Sequence, residues 1–251
     1  MANYRSAFGL FKLLGIAAAM ASAACVPTEP PAVGAPQAAA LAGASPGAPR
    51  SSAYVGLLRL SGIEMDIPST GKFILVNIPS YELVALQDGE PVLRSRIVVG
   101  KPATPTPELT ASMVIIRFNP DWTPTPSMAR NEGLQYMPPG PQNPLGRMMF
   151  ALDNDDLIYL HDTNEKQLFN RGQRALSHGC IRVQQARALA AWSLDVSEKA
   201  IDSMVARGST YAVPVPEDIR VALIYSTRFP DQHGEIMSYP DVYSHQTARA
   251  E

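Results

Sequence analysis

The pattern of apolar and polar positions divides the chain into three stretches. An apolar run covers residues 13–20, and residues 26–52 then carry little beyond Ala, Pro, Gly and Ser. From residue 54 the pattern becomes one of short strands. Runs rich in Ile, Val, Leu and Phe predict strands at 73–78, 82–86, 92–99, 112–118, 147–152, 157–160, 211–213 and 220–225. Between the second and third runs stands Asp88-Gly89, the composition of a tight hairpin turn. Helical spacing comes late. It predicts one helix over 184–193 and another in which Val196, Ala200, Ile201, Met204 and Val205 recur until Gly208, with Asp195 and Glu198 spaced as a capping box. Many short strands joined by Pro- and Gly-rich turns predict a mainly β fold, a sandwich or barrel with a small helical flank, rather than a doubly wound α/β sheet.

Composition sharpens the boundaries. With 251 residues and 46% apolar content the chain can bury one sizeable core, which we assign to 53–228, leaving 229–251 as a polar tail. The 23 prolines cluster in 26–52, in GKPATPTPE, and from Pro120 to Pro144, where two long loops are expected to rim one end of the sheets. A formal charge of −2, with no run of basic residues, excludes a nucleic-acid partner.

The first residues carry Arg5 and Lys12, then the apolar run, then small residues. That is the layout of a secretory signal over 1–24, and its apolar part is too short for a bilayer of about 30 Å. The ending Ser22-Ala23-Ala24-Cys25 resembles a bacterial lipoprotein signal, in which the thiol of Cys25 takes a lipid; the alternative is cleavage after an A-x-A that leaves Cys25 free. Residues 25–52 would then be an extended linker holding the domain away from an anchor. The linker contains GASPG, a formal match to the serine-hydrolase elbow, but that motif needs a strand before it and a helix after it.

Only two cysteines and four histidines occur, and LSHGCIRV at 176–183 places one of each two positions apart. With Cys25 in or beside the signal, Cys180 is a lone thiol in an exported chain, which points to chemistry. A nucleophilic thiol needs an imidazole within reach or a cationic setting. His178 shares a face with Cys180 if the segment is extended, whereas His161, at the end of a predicted strand, can approach from a neighbouring strand and is the better base. Two other readings stand beside this one: a zinc site from His161, His178 and Cys180, and a buried cysteine beside satisfied histidines. His233 and His245 read as solvated surface residues.

The segment HDTNEKQLFNRGQRALSHGCIRV resembles the signature of the L,D-transpeptidase (YkuD-type) catalytic domain: a His, 15 intervening residues, then Ser-His-Gly-Cys, an apolar residue and Arg or Asn. The similarity extends over roughly 72–225, through LVNIPSYELVALQDGEPVLRSRIVVGKPATPTPE, FNPDWTPTPSM and PPGPQNPLGRMMF, and the detail resembles the larger Gram-negative branch. The resemblance implies the β-sandwich or barrel-like fold of that family, with Cys180 as nucleophile and His161 as general base, oriented by a backbone carbonyl just after it. It implies that Ser177 and His178 shape the site and that backbone N–H groups around Gly179 and Cys180 receive the oxyanion. Arg182 would position the loop or a substrate carboxylate, or form a structural salt bridge; Trp122 and Tyr159 would line the peptide groove or belong to the core.

Also implied are the substrates: a peptidoglycan tetrapeptide as acyl donor and a diaminopimelate amine or a D-amino acid as acceptor, with no metal or other cofactor. The protein would work in the periplasm of a Gram-negative bacterium, held to a membrane by a lipid on Cys25. An acyl-enzyme that transfers to water, giving a carboxypeptidase or an amidase releasing wall-linked protein, shares every motif residue. A non-catalytic wall-binding module is the reading from a different class. The chain departs from the larger branch in two respects. About a dozen residues lie between Ser127 and Gly140, where the larger enzymes insert a capping subdomain, and the N-terminal linker has no room for a peptidoglycan-binding module. Asp162 follows His161 where Gly is common, which keeps the orienting carbonyl but changes the crowding beside it.

Overall fold

The structure, a computed structural model, describes residues 52–244; the expectations for the signal, Cys25, nearly all of the linker and His245 fall outside them. In chain order the elements are α1 (Ala53–Leu60), β1 (Lys72–Asn77), β2 (Glu82–Gln87), β3 (Glu90–Gly100), β4 (Leu109–Phe118), α2 (Pro126–Glu132), β5 (Met148–Leu152) and β6 (Tyr159–His161). A 3₁₀ turn (Lys166–Asn170) follows, then β7 (Ala175–Ser177), β8 (Ile181–Val183), α3 (Ala186–Ser193), α4 (Glu198–Ala206), β9 (Tyr211–Ile224), β10 (Arg228–Pro230) and β11 (Ile236–Ser238).

Nine strands hydrogen-bond in the order β2-β1-β9-β4-β5-β6-β8-β3-β7, and β2 also pairs with β3. That extra pairing curls the sheet into a barrel. β3 makes the closure because its two halves serve different neighbours: Glu90 to Arg96 pair with β2, whereas Ile97 and Val98 pair with β8 and Val99 with β7. The hairpin at Asp88-Gly89 forms as predicted, with φ of 53° and 80° at its two central residues. Positive φ at both positions gives the turn a twist that matches the strands it joins. The main core holds Ile74, Val76, Leu83, Ile97, Ile116, Phe118, Phe150 and Ile181, together with Leu189 and Ile201 from α3 and α4. A smaller cluster covers the opposite side of β1, where Phe73 and Leu75 pack under Tyr54 and Leu58 of α1 and Phe229 of β10. β1 is therefore buried at all six positions, as its apolar centre Phe73 to Val76 suggests, and the polar Lys72 and Asn77 at its two ends are buried with it.

Several sequence expectations need correction. The two strands expected at 211–213 and 220–225 are one strand, β9, interrupted by a bulge: Ile115 faces Pro214 and Met113 faces Ile219. β1 pairs only with the second half of β9, so Pro214 and Pro216 lie where one side of the strand lacks a ladder partner. Asp195 does not cap α4. Ser197 does, accepting from the Ala200 N–H at 3.2 Å, while Asp195 adopts φ 54° and its carboxylate holds the Lys72 ammonium at 2.7 Å. Lys72, with its side chain 2% exposed, also reaches Glu217 at 2.6 Å and lies 5.6 Å from the Trp192 ring. Leu157 and Ile158 precede β6 rather than joining it, Leu157 with φ 56° and largely exposed. Residues 229–238, expected to begin a polar tail, belong to the fold: Phe229 is fully buried and β10 pairs with β11.

Gly100 ends β3 where the chain folds sharply back on itself. A Cβ there would sit 2.2 Å from the Thr104 carbonyl oxygen and 2.7 Å from the Thr106 nitrogen, both backbone atoms. Gly100→Ala is expected to cost about 2 kcal/mol in urea denaturation, the scale of overpacking; a loss below about 0.5 kcal/mol would contradict the crowding.

Candidate active site

The site grows from the parallel pairing of β6 with β8, in which Leu160 faces Ile181 and His161 faces Arg182. Side chains alternate along a strand, so Tyr159 and His161 on β6 share a face with Cys180, at the entry to β8, and Arg182. The antiparallel partner β5 extends that face, with Met149 opposite His161 and Ala151 opposite Tyr159. Leu160, Ile181 and Phe150 point the other way into the core. All six residues of the outer face line a cleft of about 960 Å³.

The opposite wall comes from residues 120–145. Trp122 and Met137 exchange two backbone hydrogen bonds, 2.9 and 2.8 Å, which close a flap carrying α2. Asn143 pins its base, donating from Nδ2 to the Pro120 carbonyl at 2.9 Å and toward those of Pro138 and Met137. α2 was not predicted, although Thr125 before Pro126 is a readable start signal: the threonine hydroxyl accepts from the Met128 N–H. The short stretch between Ser127 and Gly140 thus contributes Met128, Leu134 and Met137 to a wall that also includes Trp122.

His161 is buried, and its Nδ1 lies 2.5 Å from the Asp162 carbonyl oxygen. Donation from Nδ1–H leaves Nε2 with its lone pair. Burial, reinforced by the nearby Arg182 guanidinium, lowers the imidazole pKa from 6.5 to about 3 despite that hydrogen bond. At neutral pH the ring is uncharged. Burial also raises the Cys180 thiol above its ordinary value, while hydrogen bonding from Tyr159, through both its backbone and its side chain, pulls the other way. The resting pair is therefore thiol and neutral imidazole rather than an ion pair. Tyr159 is held protonated, mainly by burial and then by proximity to Cys180, and its hydroxyl also meets the Trp122 side chain. Trp122 and Tyr159 both line the cleft.

The turn between β7 and β8 carries the cysteine. His178 and Cys180 do not lie on one extended segment: Gly179 has φ 120°, and His178 swings across the cleft, placing Nε2 2.8 Å from Glu132 of α2. Ser177 braces the turn, its Oγ donating to the Cys180 carbonyl at 2.6 Å and accepting from the Gly179 N–H at 3.2 Å. The Gly179 N–H, one of the backbone donors expected around the cysteine, is thus already engaged with Ser177. Arg182 forms a salt bridge with Glu165 at 2.5 Å, and its Nε is buried with no hydrogen-bond partner. Asp162 is buried, accepts from the Arg147 N–H at 2.9 Å and pairs with Lys166, so the residue standing in place of Gly ties the approach to β5 to the segment after β6. Among the described residues, no group of three or more His, Cys, Asp or Glu side chains is arranged to hold a metal ion, and His178 is turned to Glu132 rather than to Cys180. His233 is exposed, as expected.

This geometry agrees with a family match. The L,D-transpeptidase catalytic domain family, YkuD, matches residues 71–213, more than half of the chain and every residue of the cleft floor. The chain belongs to that family. A candidate L,D-transpeptidase of Haemophilus influenzae is 29% identical over an alignment covering 71% of this chain and 45% of the relative, so the chain spans less than half the length of the curated relative it matches. Among solved structures, an Enterococcus faecium L,D-transpeptidase mutant shares 18% identity at a TM-score of 0.36, covering 61% of this chain and 49% of that one. One from Mycobacterium smegmatis shares 17% at 0.37, covering 61% and 58%. At such scores the family assignment rests on the sequence match.

Two outcomes follow from the charge states in this L,D-transpeptidase domain. The unfolded chain takes up a proton on His161 near pH 6.5 and the folded one only near 3, so folding stability falls as pH drops through that window. The loss should approach about 1.4 kcal/mol per pH unit, and His161→Gln should remove that part of the slope in denaturation curves. Alkylation of Cys180 by iodoacetamide should rise steadily with pH and show no plateau between about pH 5 and 8, where a thiolate–imidazolium pair would give one.

Proposed function

We propose that this domain is a cysteine acyltransferase acting on peptidoglycan stem peptides. The observation that carries the reading is the common face on which Cys180, Tyr159 and His161 meet in one cleft, with His161 kept neutral and oriented. In the first step the Cys180 sulfur bonds to the carbonyl carbon of the third residue of a tetrapeptide, and the thiol proton passes to His161 Nε2. The oxyanion that forms receives the Cys180 N–H. Its collapse breaks the peptide bond; the terminal D-alanine leaves with the proton from His161, and a thioester remains on Cys180.

An amine then attacks the thioester, gives its proton to His161, and the Cys180 thiolate leaves and is reprotonated. With a diaminopimelate side chain as acceptor the product is a 3-3 cross-link; with a D-amino acid it is an exchanged stem. The wall formed by Trp122, Met128, Leu134 and Met137, facing Leu157 and Ile158, supports an amine over water as acceptor, because apolar walls exclude water from the acyl-enzyme. Arg182, with its guanidinium beside His161, disfavours the imidazolium and so adds to burial in keeping the resting base uncharged. The signal-like N-terminus and Cys25 fit export to the periplasm and a lipid anchor, which would place the domain beside its polymer.

The test is to incubate the full-length protein with a disaccharide tetrapeptide and follow the products by mass spectrometry. Release of D-alanine with formation of cross-linked dimer is expected, abolished in Cys180→Ala and lowered at least about a hundredfold in His161→Ala. Release with monomeric product alone would make the domain a hydrolase. Absence of D-alanine release, with no adduct on Cys180, would remove the acyl-transfer reading.

A further inference from the structure

The nucleophile turn is gripped from behind by the loop at residues 100–106. The Lys101 N–H donates to the Ser177 carbonyl at 2.9 Å, and the Thr106 hydroxyl donates to the Gly179 carbonyl at 2.6 Å while accepting from the Gly100 N–H at 2.9 Å. Thr106 is buried, and both of these bonds are buried. The loop is in turn closed by a residue far along the chain. The Tyr243 hydroxyl donates to the Gly100 carbonyl at 2.7 Å and accepts from the Thr106 N–H at 3.1 Å, bridging the two ends of the loop. Tyr243 stacks on Tyr225 with ring centroids 5.5 Å apart, its N–H donates to the Tyr225 hydroxyl at 2.8 Å, and that hydroxyl meets Asp241.

In a trans peptide the carbonyl and the next N–H point to opposite sides. Holding the Gly179 carbonyl against Thr106 therefore turns the Cys180 N–H the other way, away from the loop. We propose that Tyr243 and Thr106 are positioning residues for catalysis: through them the segment after the last strands fixes the direction of the Cys180 N–H that receives the oxyanion. The proposal rests on the acyl-transfer reading above. It assigns the C-terminal residues a part in turnover that lies outside residues 71–213, where the family match ends.

Attack of the thiol on iodoacetamide develops no oxyanion, whereas acyl transfer does, so the two reactions separate positioning of the N–H from general disorder of the site. In the full-length protein, Tyr243→Phe and Thr106→Val should each lower kcat for D-alanine release about tenfold or more, with KM within about twofold, since the donor acts on the transition state. Alkylation of Cys180 should stay within about threefold of wild type. The double variant should be little worse than either single one, because the two residues form one chain of bonds, and Thr106→Ser should recover most of the rate. Wild-type turnover together with an unchanged kcat in Tyr243→Phe would overturn the proposal and leave the acyl-transfer reading standing. A fall in kcat and alkylation alike, in step with a lowered thermal midpoint, would reduce these residues to structural ones and overturn it as well. If the wild-type protein neither releases D-alanine nor forms an adduct, the acyl-transfer reading fails first and this proposal goes with it.

Discussion

Everything at the site depends on a short parallel pairing, two residue pairs long, between β6 and β8. Parallel neighbours cannot be joined by a tight turn; the chain must cross back before it can run in the same direction again. Here the return is made by the 3₁₀ turn and β7, which occupy the residues between His161 and Cys180. The 15-residue interval between His161 and Ser177 thus has a structural origin: it is the length of chain that leaves β6, pairs as β7 with the far edge of β3 and arrives beside β6 again. The same crossing lays β7 against β3, so the turn bearing the cysteine is fixed at both ends by ladders.

Burial both builds and restrains this site. Taking His161 and Cys180 out of water disfavours the charged form of each, so the cleft holds a neutral pair; in the proposed reaction the proton would move only as the sulfur commits to a carbonyl. Tyr159 shares the arrangement, because a phenol kept protonated can donate to sulfur without competing as a base. Arg182 adds positive charge beside the ring, and Glu165 limits how far that charge dominates. The cost of such a neutral pair is a slower free thiol; under the proposed reaction its benefit would be a nucleophile that is quiet until a substrate displaces water.

Local sequence was sufficient for what local chemistry controls. The Asp88-Gly89 turn, the apolar runs of β1 to β5, and the His161 and Cys180 pair could all be read within windows of a few residues or from one motif. What stayed hidden depends on partners far apart in the chain. Glu132 meets His178 across 46 residues, Thr106 reaches Gly179 across 73, and Tyr243 reaches Thr106 across 137. No periodicity reports such contacts. Two errors have simpler causes: Asp195 and Ser197 both suit a helix start, and only the demand of the buried Lys72 for a carboxylate decides between them; β9 looked like two strands because Pro214 stands beside a bulge and Pro216 within it.

The place of β9 in the sheet has a bearing on how the domain is made. Although it is the ninth strand in the chain, it lies between β1 and β4, pairing in parallel with one and antiparallel with the other. Until residues 211–224 arrive, β1 and β4 each present an open edge with unpaired backbone groups, the kind of edge that recruits other chains. Barrel closure must therefore wait for contacts of large sequence separation, which makes folding slow and leaves a partly emerged chain exposed to aggregation. The cleft and its thiol consequently take final form only once nearly the whole chain is present, and a chain cut short before β9 would lack the framework that holds them.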